Sequence, residues 1–256
     1  MDKIKVTVLD KSQHFNAKYI SSLTKLTFSQ KLNANDDIAS KLLDYENCTP
    51  AICENICKYN HTSLLEQCWC SMIFEGTSRS FLSQITRARL FSYCSASQHY
   101  QNWSDMADFV VPLELMGDDK KDVREEYLMS CKRSLDDYRN LISKGVLPEV
   151  ARQCTPQGMR NNLIVAGNLR QWCNFLNLRL CNRNTSEIQY VAWLSYNIIK
   201  KWIPEAMTLN AVPDCCKLGQ CTQGTKCCGI KWSEAGMAEK FKIITDVTPL
   251  SVSCHL

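Results

Sequence analysis

Two arginines and a run of serines mark the segment best suited to bind a phosphorylated ligand, residues 84–100 (QITRARLFSYCSASQHY). Arg87 and Arg89 stand two apart at the predicted end of a helix, and their forked donors match a phosphate or a planar pair of carbonyl oxygens. Serine hydroxyls and turn N–H groups add further phosphate donors. The alternative is a solvated basic helix end. The polar side chains of the segment include Gln84, Arg87, Arg89, Ser92, Ser95, Ser97, His99 and Tyr100.

A second group of basic and amide residues lies within an apolar helical pattern. Arg170 and Asn174 are four apart and therefore share one face of the predicted helix. Such side chains are rarely placed deep in an apolar pattern unless they are paired or bind a ligand. A structural ion-pair network is the alternative. The group comprises Arg152, Asn168, Arg170, Asn174 and Arg179.

A third cluster, HTSLLEQ, precedes a predicted strand and contains His61, Ser63 and Glu66. A histidine and a glutamate with a serine between them are a candidate ligand-binding set. Ser63 and Glu66 also fit the S-x-x-E pattern of a helix capping box, which is the plain structural alternative.

Together the three clusters resemble the flavin-dependent thymidylate synthase family. That family has a His-x-Ser/Thr-x-x-Glu segment, an Arg-His-Arg signature followed by serines, then Ala-Arg-x-x-x-Pro and Asn-x-Arg-x-x-x-Asn-Phe-x-x-x-Arg. The corresponding stretches here occur in the family's order over roughly residues 55–205, and the one from Asn168 to Arg179 is the most specific. They read HTSLLEQ, FEGTSRSFLSQITRARLFSYCSASQHY, ARQCTP and NLRQWCNFLNLR.

The resemblance implies a binding site for a uridine nucleotide. It implies that Arg179 holds the pyrimidine and that Arg152 binds mainly phosphate and sugar. The catalytic residues that it implies are Arg179, Ser97 and His61. The implied substrate-binding set is Gln84, Arg87, Ser95, Ala96, Ser97, His99, Arg152 and Arg179.

The resemblance also implies an FAD cofactor, with NADPH and methylenetetrahydrofolate as co-substrates for the conversion of dUMP to dTMP. His61 and Tyr100 are implied to lie at the flavin and folate side. The family is a homotetramer whose active sites are shared between subunits. The implied FAD-binding residues are Ser63, Glu66, Arg87, Ala88, Arg89, Asn168, Arg170 and Asn174.

The chemistry implied by the resemblance needs no nucleophilic cysteine. In this family the reduced flavin supplies the hydride, whereas the folate-only thymidylate synthases need a cysteine in a Pro-Cys-His context, and that tripeptide does not occur here. We therefore expect Cys154, which lies in Gln-Cys-Thr-Pro, to be structural. Arg179 would act electrostatically, because it polarises a uracil carbonyl as negative charge develops on the ring.

Several positions depart from the family pattern. The middle histidine of the Arg-His-Arg signature is Ala88, which removes a hydrogen-bond donor. The last arginine is His99, which is shorter and only partly charged at about pH 7. These changes leave open a relative acting on UMP or a cytidine nucleotide, one making a 5-hydroxymethyl product, and a nucleotide-binding homologue without turnover. The other departures are Gln67, Cys94, Ala96 and residues 184–186.

Composition is that of an ordinary globular protein. The chain has 256 residues, of which 45% are hydrophobic and 22% charged, so it can bury a core without disulfides. A net charge of +4 is too small to argue for a nucleic-acid surface, although an unrelated nucleic-acid binder using Arg87 and Arg89 stays open. No secretory signal opens the sequence, and no apolar run reaches the roughly 18 residues of a membrane span. We expect a soluble cytoplasmic protein, in a host cell if the source is a virus, without membrane or nucleic-acid partners.

Periodicity predicts one α+β domain over residues 1–256. The resemblance implies that its sheet is central, mostly antiparallel and flanked by helices. The predicted strands are residues 4–9, 68–75, 162–167 and a short last strand at 241–248. The predicted helices are residues 28–56 with breaks, 78–90, 122–143, a short one from Pro148, 168–180 and 187–202.

Cysteine is abundant, with 16 residues in the chain. Most stand singly and are predicted to be reduced, buried thiols, namely Cys68, Cys70, Cys94, Cys131, Cys154, Cys173 and Cys181. Five more lie in the loop at 214–229, DCCKLGQCTQGTKCCG. Closely spaced thiolates can bind zinc or act in redox chemistry, but the loop lacks paired C-x-x-C motifs and a nearby histidine. We expect no metal, and a plain loop is the alternative to a metal or redox role.

Overall fold

A single antiparallel sheet organises the protein. The structure, a computed structural model, describes residues 4–28, 37–105 and 108–246. Within these residues four strands pair in the order β1–β2–β4–β3, which confirms the α+β class and the antiparallel sheet. That the whole chain forms one domain stays a prediction. The strands are β1 (Lys5–Lys11), β2 (Trp69–Ser78), β3 (Ser92–Ser95) and β4 (Arg160–Asn168).

The two central strands form because apolar residues alternate along them. Met72 of β2 lies opposite Val165 of β4, and both are buried on the inner face of the sheet. The pairing shifts register between Phe74 and Thr77. Gly76 lies in this irregular stretch with a φ of +72°, a left-handed conformation that glycine adopts without a Cβ penalty.

Helices pack on the inner face of the sheet. The long helices predicted at 122–143, 168–180 and 187–202 are confirmed within one or two residues of their bounds. The helices and helical turns are α1 (Ala17–Phe28), α2 (Ile38–Leu43), α3 (Pro50–Lys58), α4 (Arg79–Ile85), α5 (Lys121–Ser143), α6 (Pro148–Ala151), α7 (Leu169–Arg179), α8 (Ser186–Lys200), α9 (Pro204–Ala206), α10 (Asp214–Lys217) and α11 (Glu234–Asp246), and a 3₁₀ helix spans Thr62–Gln67.

The hydrophobic core has two parts. The larger one joins the inner face of the sheet to α1, α3, α4, α7 and α8, with Trp172 and Tyr196 fully buried. The smaller one lies under α5, where Leu135 and Tyr138 pack against Trp103 and Met159. The phenol of Tyr138 accepts a bond from the Trp103 amide at 3.1 Å, so this buried hydroxyl is satisfied.

The predicted last strand at 241–248 is wrong. Helix α11 covers this stretch as far as Asp246, and residues 247 and 248 lie outside the described residues. Met237 and Phe241 are both buried and four residues apart, which is helical spacing. The sequence at 241–244, FKII, also fits a short strand when taken alone, but the helical spacing from Met237 to Phe241 decides for a helix.

Cysteine burial follows the prediction only in part. Cys68, Cys70, Cys131 and Cys173 are buried free thiols, as expected. Cys94 and Cys154 are exposed and Cys181 is half-buried, so the prediction of burial is wrong for them. Cys94 lies on β3, an edge strand with little covering it, and Cys154 lies on the surface turn after α6.

Two features are absent from the described residues. No helix in that part of the chain is long and apolar enough to cross a membrane. No group of three or more His, Cys, Asp or Glu side chains there is arranged to hold a metal ion.

Candidate active site

The start of α4 is fixed by a buried carboxyl group. Glu187 of α8 accepts bonds at 2.6 Å from both the amide and the hydroxyl of Ser78, and the Ser78 hydroxyl caps α4 by accepting from the Phe81 amide at 2.9 Å. Burial raises the pKa of Glu187 even though these bonds favour its charged form. The helix that leads to the signature arginines is thereby tied to α8.

Helix α4 is shorter than the predicted helix at 78–90. It ends at Ile85, and the phenol of Tyr93 is shared between the carbonyl oxygens of Ile85 and Ala88, both at 2.7 Å. Arg87 and Arg89 therefore lie on a turn, not on a helix. Both are exposed, and neither guanidinium has an acceptor within residues 4–28, 37–105 and 108–246.

The structure brings together two of the predicted nucleotide residues, Gln84 and Arg179. A guanidinium nitrogen of Arg179 donates to the Gln84 carbonyl oxygen at 2.9 Å, and another donates to Asn184 Oδ1 at 3.2 Å. The Gln84 side chain accepts from the Thr185 hydroxyl at 3.1 Å. Burial lowers the pKa of Arg179, but a guanidinium stays charged at neutral pH. Backbone and amide oxygens hold the charge in place, and no carboxylate bonds to it in the part of the chain that the structure describes.

A cavity of about 290 Å³ opens beside Arg179. Its floor is the end of α7 with Asn177, and its far wall is the segment from Pro213 to Gln223. Asp214 fixes this wall by accepting from Asn177 Nδ2 and from the Thr222 hydroxyl, both at 3.2 Å. The cavity is polar on the Arg179 side, where Arg183 and Asn184 also contribute.

A second basic group forms around Arg152. Its Nε donates to the Glu149 carbonyl oxygen at 3.0 Å, and the carboxylate of the same Glu149 lies 3.0 Å from His99 Nδ1. The structure therefore brings the predicted residues His99 and Arg152 together. Gln98 reinforces the contact, because its amide donates to the Thr155 hydroxyl at 3.4 Å.

The sequence reasoning missed Arg79, which belongs to this second group. Burial lowers the pKa of Arg79, and the positive charge of Arg152 lowers it further. Arg79 lies 3.5 Å from Asn161 Oδ1, while the buried Nδ2 of Asn161 has no partner. Two guanidinium groups and an unpaired amide donor form a place for an anion. The available sequence signal was the Ser-Arg pair directly after β2.

The remaining predicted substrate residues lie at the end of β3 and in the loop that follows it. The Ser97 hydroxyl accepts from the His99 amide at 3.1 Å, and the Ala96 amide donates to the Asn162 carbonyl at 3.1 Å. Ser95 is exposed at the end of β3. Tyr100 is 85% exposed, with its ring edge-on to His99 at 4.4 Å between centroids. The loop presents hydroxyls and rings to solvent.

The predicted cofactor residues meet at the beginning of α7. Asn168 caps this helix in a reciprocal capping box with Gln171, and the Gln171 side chain also donates to the Leu90 carbonyl at 2.8 Å. The signature turn is thus bound to the cap of α7. Gly167 permits the approach, since a Cβ there would lie 2.3 Å from the Phe91 ring.

Two predictions about this set are wrong. Arg170 and Asn174 are exposed, because the apolar face of α7 is formed by Trp172, Phe175 and their neighbours. The capping box at Ser63 and Glu66 does not form, and the 3₁₀ helix begins at His61 without a side-chain cap. Glu66 instead pairs with Arg170 at 2.6 Å, which is the ion pair left open as an alternative. Ser63 and His61 are exposed beside this pair.

Comparison with known proteins shows the family of the chain. The model of the family described as thymidylate synthase complementing protein matches residues 9–205, which is most of the chain. The chain belongs to the thymidylate synthase complementing protein family. The Thermococcus kodakarensis flavin-dependent thymidylate synthase is 34% identical over 192 residues, covering 73% of this chain and 77% of the relative. The Pyrococcus abyssi enzyme of the same name is 32% identical over 171 residues, covering 64% and 69%.

A solved structure has a similar fold. A UMP/dUMP methylase, PolB from Streptomyces cacaoi, crystallised with 5-Br dUMP, superposes with a TM-score of 0.62. The superposition covers 81% of this chain and 94% of that one, at 19% sequence identity. At this identity the likeness is one of fold.

Proposed function

We propose that the protein is a flavin-dependent thymidylate synthase that methylates C5 of dUMP to give dTMP. Methylenetetrahydrofolate would donate the carbon and NADPH the reducing equivalents. The observation that carries the proposal is Arg179, whose half-buried guanidinium is fixed to the Gln84 carbonyl on the wall of a cavity. Membership of the family supports a uridine nucleotide as the substrate of this site.

The phosphate of the nucleotide is assigned to Arg79 and Arg152. A phosphate carries nearly two negative charges, and two guanidinium groups that have no carboxylate bond among the described residues, one of them within the electrostatic influence of the other, suit it. The unpaired Asn161 Nδ2 adds a donor beside Arg79. Gln84, Arg87 and the loop from Ser95 to His99 are assigned to the sugar and the rest of the nucleotide.

Arg179 acts on the pyrimidine by electrostatics. Its guanidinium is oriented before the substrate arrives, so no reorganisation is needed when negative charge develops on a uracil carbonyl. The Ser97 hydroxyl accepts from the His99 amide, which leaves its own proton free to donate to the nucleotide. Cys94 and Cys154 are given no role in the reaction.

The residues near α7 fit an FAD cofactor. The surface holds one ion pair, exposed amide and hydroxyl donors, and the two unpaired arginines of the signature turn, which suits a ligand with a pyrophosphate and a ribityl chain. The residues that would hold the cofactor, together with the backbone of Ala88, are Ser63, Glu66, Arg87, Arg89, Asn168, Arg170 and Asn174. When bound, the flavin supplies the hydride. His61 and Tyr100 would border the folate.

A second copy of the chain is proposed to complete the site, within a homotetramer. Arg87, Arg89 and Tyr100 are exposed in the single chain, and a water-exposed site would weaken the electrostatic effects on which the reaction depends. Leu90 and Leu178 are 73% and 64% exposed next to the proposed site residues, as expected of side chains that pack against a partner.

One observation favours a second candidate, an enzyme acting on another pyrimidine nucleotide or making a 5-hydroxymethyl product. His99 stands where the family has an arginine, and its ring is bonded to Glu149. An arginine at this position would present a permanent charge to the ligand, whereas the His99 ring is paired with the Glu149 carboxylate. The nucleotide contacts near Glu149 therefore differ from the family pattern.

The test uses the purified full-length protein incubated with FAD and desalted. A visible spectrum measures flavin retention. NADPH oxidation is then followed with and without dUMP and methylenetetrahydrofolate, and the nucleotide product is identified by mass spectrometry. We expect a yellow protein that makes dTMP from dUMP. UMP and dCMP are tested as substrates in parallel assays.

The outcomes separate the candidates. A hydroxymethyl nucleotide, or turnover with UMP or dCMP alone, would replace the proposed reaction by the second candidate. A colourless protein that retains no flavin and makes no product, yet binds dUMP in calorimetry, would contradict both and leave a nucleotide-binding homologue.

A further inference from the structure

The first turn of α8 binds two neighbouring elements through a matched pair of contacts. Glu187 accepts bonds from the amide and the hydroxyl of Ser78, both at 2.6 Å, and so holds the start of α4. Ser186 donates its amide at 3.2 Å and its hydroxyl at 2.6 Å to Glu114, which lies in the 3₁₀ turn Leu113–Leu115. Each contact joins one carboxylate to one serine, but only the contact of Glu187 reaches a residue next to the proposed site.

Stability alone is a weak reason for Glu187 to carry a charge. Its carboxyl group is mostly buried, and among the described residues no lysine or arginine pairs with it. Burying a carboxylate without a cation is costly, and an uncharged side chain of similar size would avoid the cost. Both hydrogen bonds of the carboxylate come from Ser78. What the carboxylate secures is therefore the position of Ser78.

The position of Ser78 in turn sets the position of Arg79. Ser78 ends β2 and is the N-cap of α4, where its hydroxyl accepts from the Phe81 amide at 2.9 Å while donating to Glu187. Arg79 is the next residue, and its guanidinium lies 3.5 Å from Asn161 Oδ1. A guanidinium that must meet a phosphate at hydrogen-bond distance depends on the place and direction in which its helix begins.

We propose that Glu187 is a positioning residue that fixes Arg79 for the phosphate of the bound nucleotide. This role rests on the proposed function, in which Arg79 and Arg152 bind that phosphate. Glu187 does not meet the ligand itself. It acts through Ser78, by holding the first residue of the turn from which the Arg79 side chain projects.

Other contacts limit the size of the effect. The amides of Arg79 and Ser80 donate to carbonyl oxygens of the 157–159 turn, both at 3.0 Å. The far end of α4 is held separately, since the Gln84 carbonyl accepts from Arg179. Loss of the carboxylate contact should therefore displace the Arg79 guanidinium without unfolding α4, and the pyrimidine end of the site should be little affected.

The experiment measures ligand affinity in the full-length protein incubated with FAD. Glu187→Gln keeps the size of the side chain, but its amide nitrogen cannot accept the bond from the Ser78 hydroxyl. Calorimetry with dUMP should show about tenfold weaker binding, the usual cost of one hydrogen bond to a charged group. Binding of deoxyuridine, which has no phosphate, should change little.

Glu114→Gln is the matched control. It removes the same charge from a carboxylate that has the same kind of serine partner at the start of α8, but this contact does not lead to Arg79. Its dUMP affinity should equal that of the wild type. Urea unfolding of both variants establishes that each is folded at the temperature of the calorimetry.

A double-mutant cycle tests whether Glu187 acts through Ser78. Ser78→Ala should also weaken dUMP binding selectively. Adding Glu187→Gln to Ser78→Ala should weaken it little further, because both changes remove the same bond. Independent effects that multiply would overturn the proposal. If Glu187→Gln does not fold, Ser78→Ala alone should show the selective loss, and an equal loss of dUMP and deoxyuridine affinity there would overturn it.

The remaining outcomes separate this role from the proposed function. Equal losses of dUMP affinity in Glu187→Gln and Glu114→Gln would make the carboxylate a general structural support. Wild-type dUMP affinity in a folded Glu187→Gln protein would refute the positioning role and leave the proposed function standing. A wild-type protein that binds no dUMP would contradict the proposed function and the role of Glu187 with it.

Discussion

The guanidinium of Arg179 is held by two neutral oxygens, one from the Gln84 backbone and one from Asn184. Neutral acceptors orient an arginine without cancelling its charge, so the field of the cation stays available to a bound ring. A carboxylate in the same place would have neutralised it. This is the physical reason to assign the charge stabilisation to Arg179.

The first prediction removes that charge. Arg179→Ala should lower kcat by about 10²–10³-fold, the usual cost of losing one preorganised donor at a developing oxyanion. Steady-state kinetics with dUMP measures the effect. Arg183→Ala is the matched control, since Arg183 lines the same cavity but makes no bond to Gln84, and it should retain activity. If Arg179→Ala also broke up the oligomer or the fold, Arg179 would be a structural residue.

The second prediction concerns Arg79, whose half-buried guanidinium has a pKa lowered by burial and by the charge of Arg152. Arg79→Gln should weaken dUMP binding about 10–100-fold, the range for one charge-assisted hydrogen bond. Calorimetry should show the loss with dUMP and little change with deoxyuridine, which has no phosphate.

Its control is Arg133→Gln, an exposed arginine of α5 with no partner among the described residues. This variant changes the net charge equally and should leave dUMP affinity intact. An equal loss of dUMP and deoxyuridine affinity in Arg79→Gln would mean that Arg79 shapes the site without binding the phosphate.

The sequence could indicate Arg152 and Arg179 because both stand in strings with fixed spacing. It could not indicate Arg79, because a Ser-Arg pair is common and the significance of Arg79 lies in the electrostatic influence of Arg152, more than 70 residues away. The sequence also could not show that Arg170 and Asn174 are exposed. Spacing places two side chains on the same face of a helix, but it does not say which way that face points.

At the scale of elements, the central strands and long helices follow from periodicity, whereas the short edge strand β3 does not. Its sequence is SYCS, and it forms because it pairs with residues 163–166 of β4. The early end of α4 has a similar cause. Tyr93 takes the carbonyls of Ile85 and Ala88, and this turn brings Arg87 and Arg89 to the surface. Non-local contacts decide both features, and single-sequence patterns do not report them.

The third prediction concerns the junction of α8 and α11. Glu234 accepts from Lys200 at 2.6 and 2.7 Å and from the Tyr196 hydroxyl at 2.7 Å. Burial opposes the charge of Glu234, but these bonds outweigh it and lower the pKa below the ordinary 4.5. A lowered carboxyl pKa gives stability that is present above 4.5 and is lost as the pH falls through the folded-state value.

Glu234→Gln should therefore lower the free energy of unfolding by about 1 kcal/mol at neutral pH, a modest value because the pair is partly exposed. Urea unfolding of variant and wild type measures it, and the difference should shrink as the pH falls below 4.5. Glu239→Gln, on an exposed position of the same helix, should have little effect at any pH. A difference that does not depend on pH would show that Glu234 acts through packing.

At the scale of the whole molecule, the single chain leaves the proposed chemistry open to water. Arg87, Arg89 and Tyr100 are exposed, and the surface at the beginning of α7 is bordered by Leu90. Water screens the charge of exposed arginines, so in the single chain they would contribute little electrostatic stabilisation to the reaction. An apolar residue at 73% exposure between the signature arginines and β3 points to burial against another copy of the chain.

The fourth prediction tests this arrangement with Leu90→Lys. A charge placed in a packed interface should break the tetramer into smaller species, because the ammonium would be buried without a partner. Size-exclusion chromatography with light scattering measures the mass, and FAD retention should fall with it, since the signature turn is bound to the cap of α7 through the Leu90 carbonyl.

Leu43→Lys is the control. Leu43 is an exposed leucine of α2 outside the signature segments, and this variant should stay tetrameric. A tetramer that survives Leu90→Lys with its flavin, or a wild-type protein that is monomeric and fully active, would mean that each chain builds its own site.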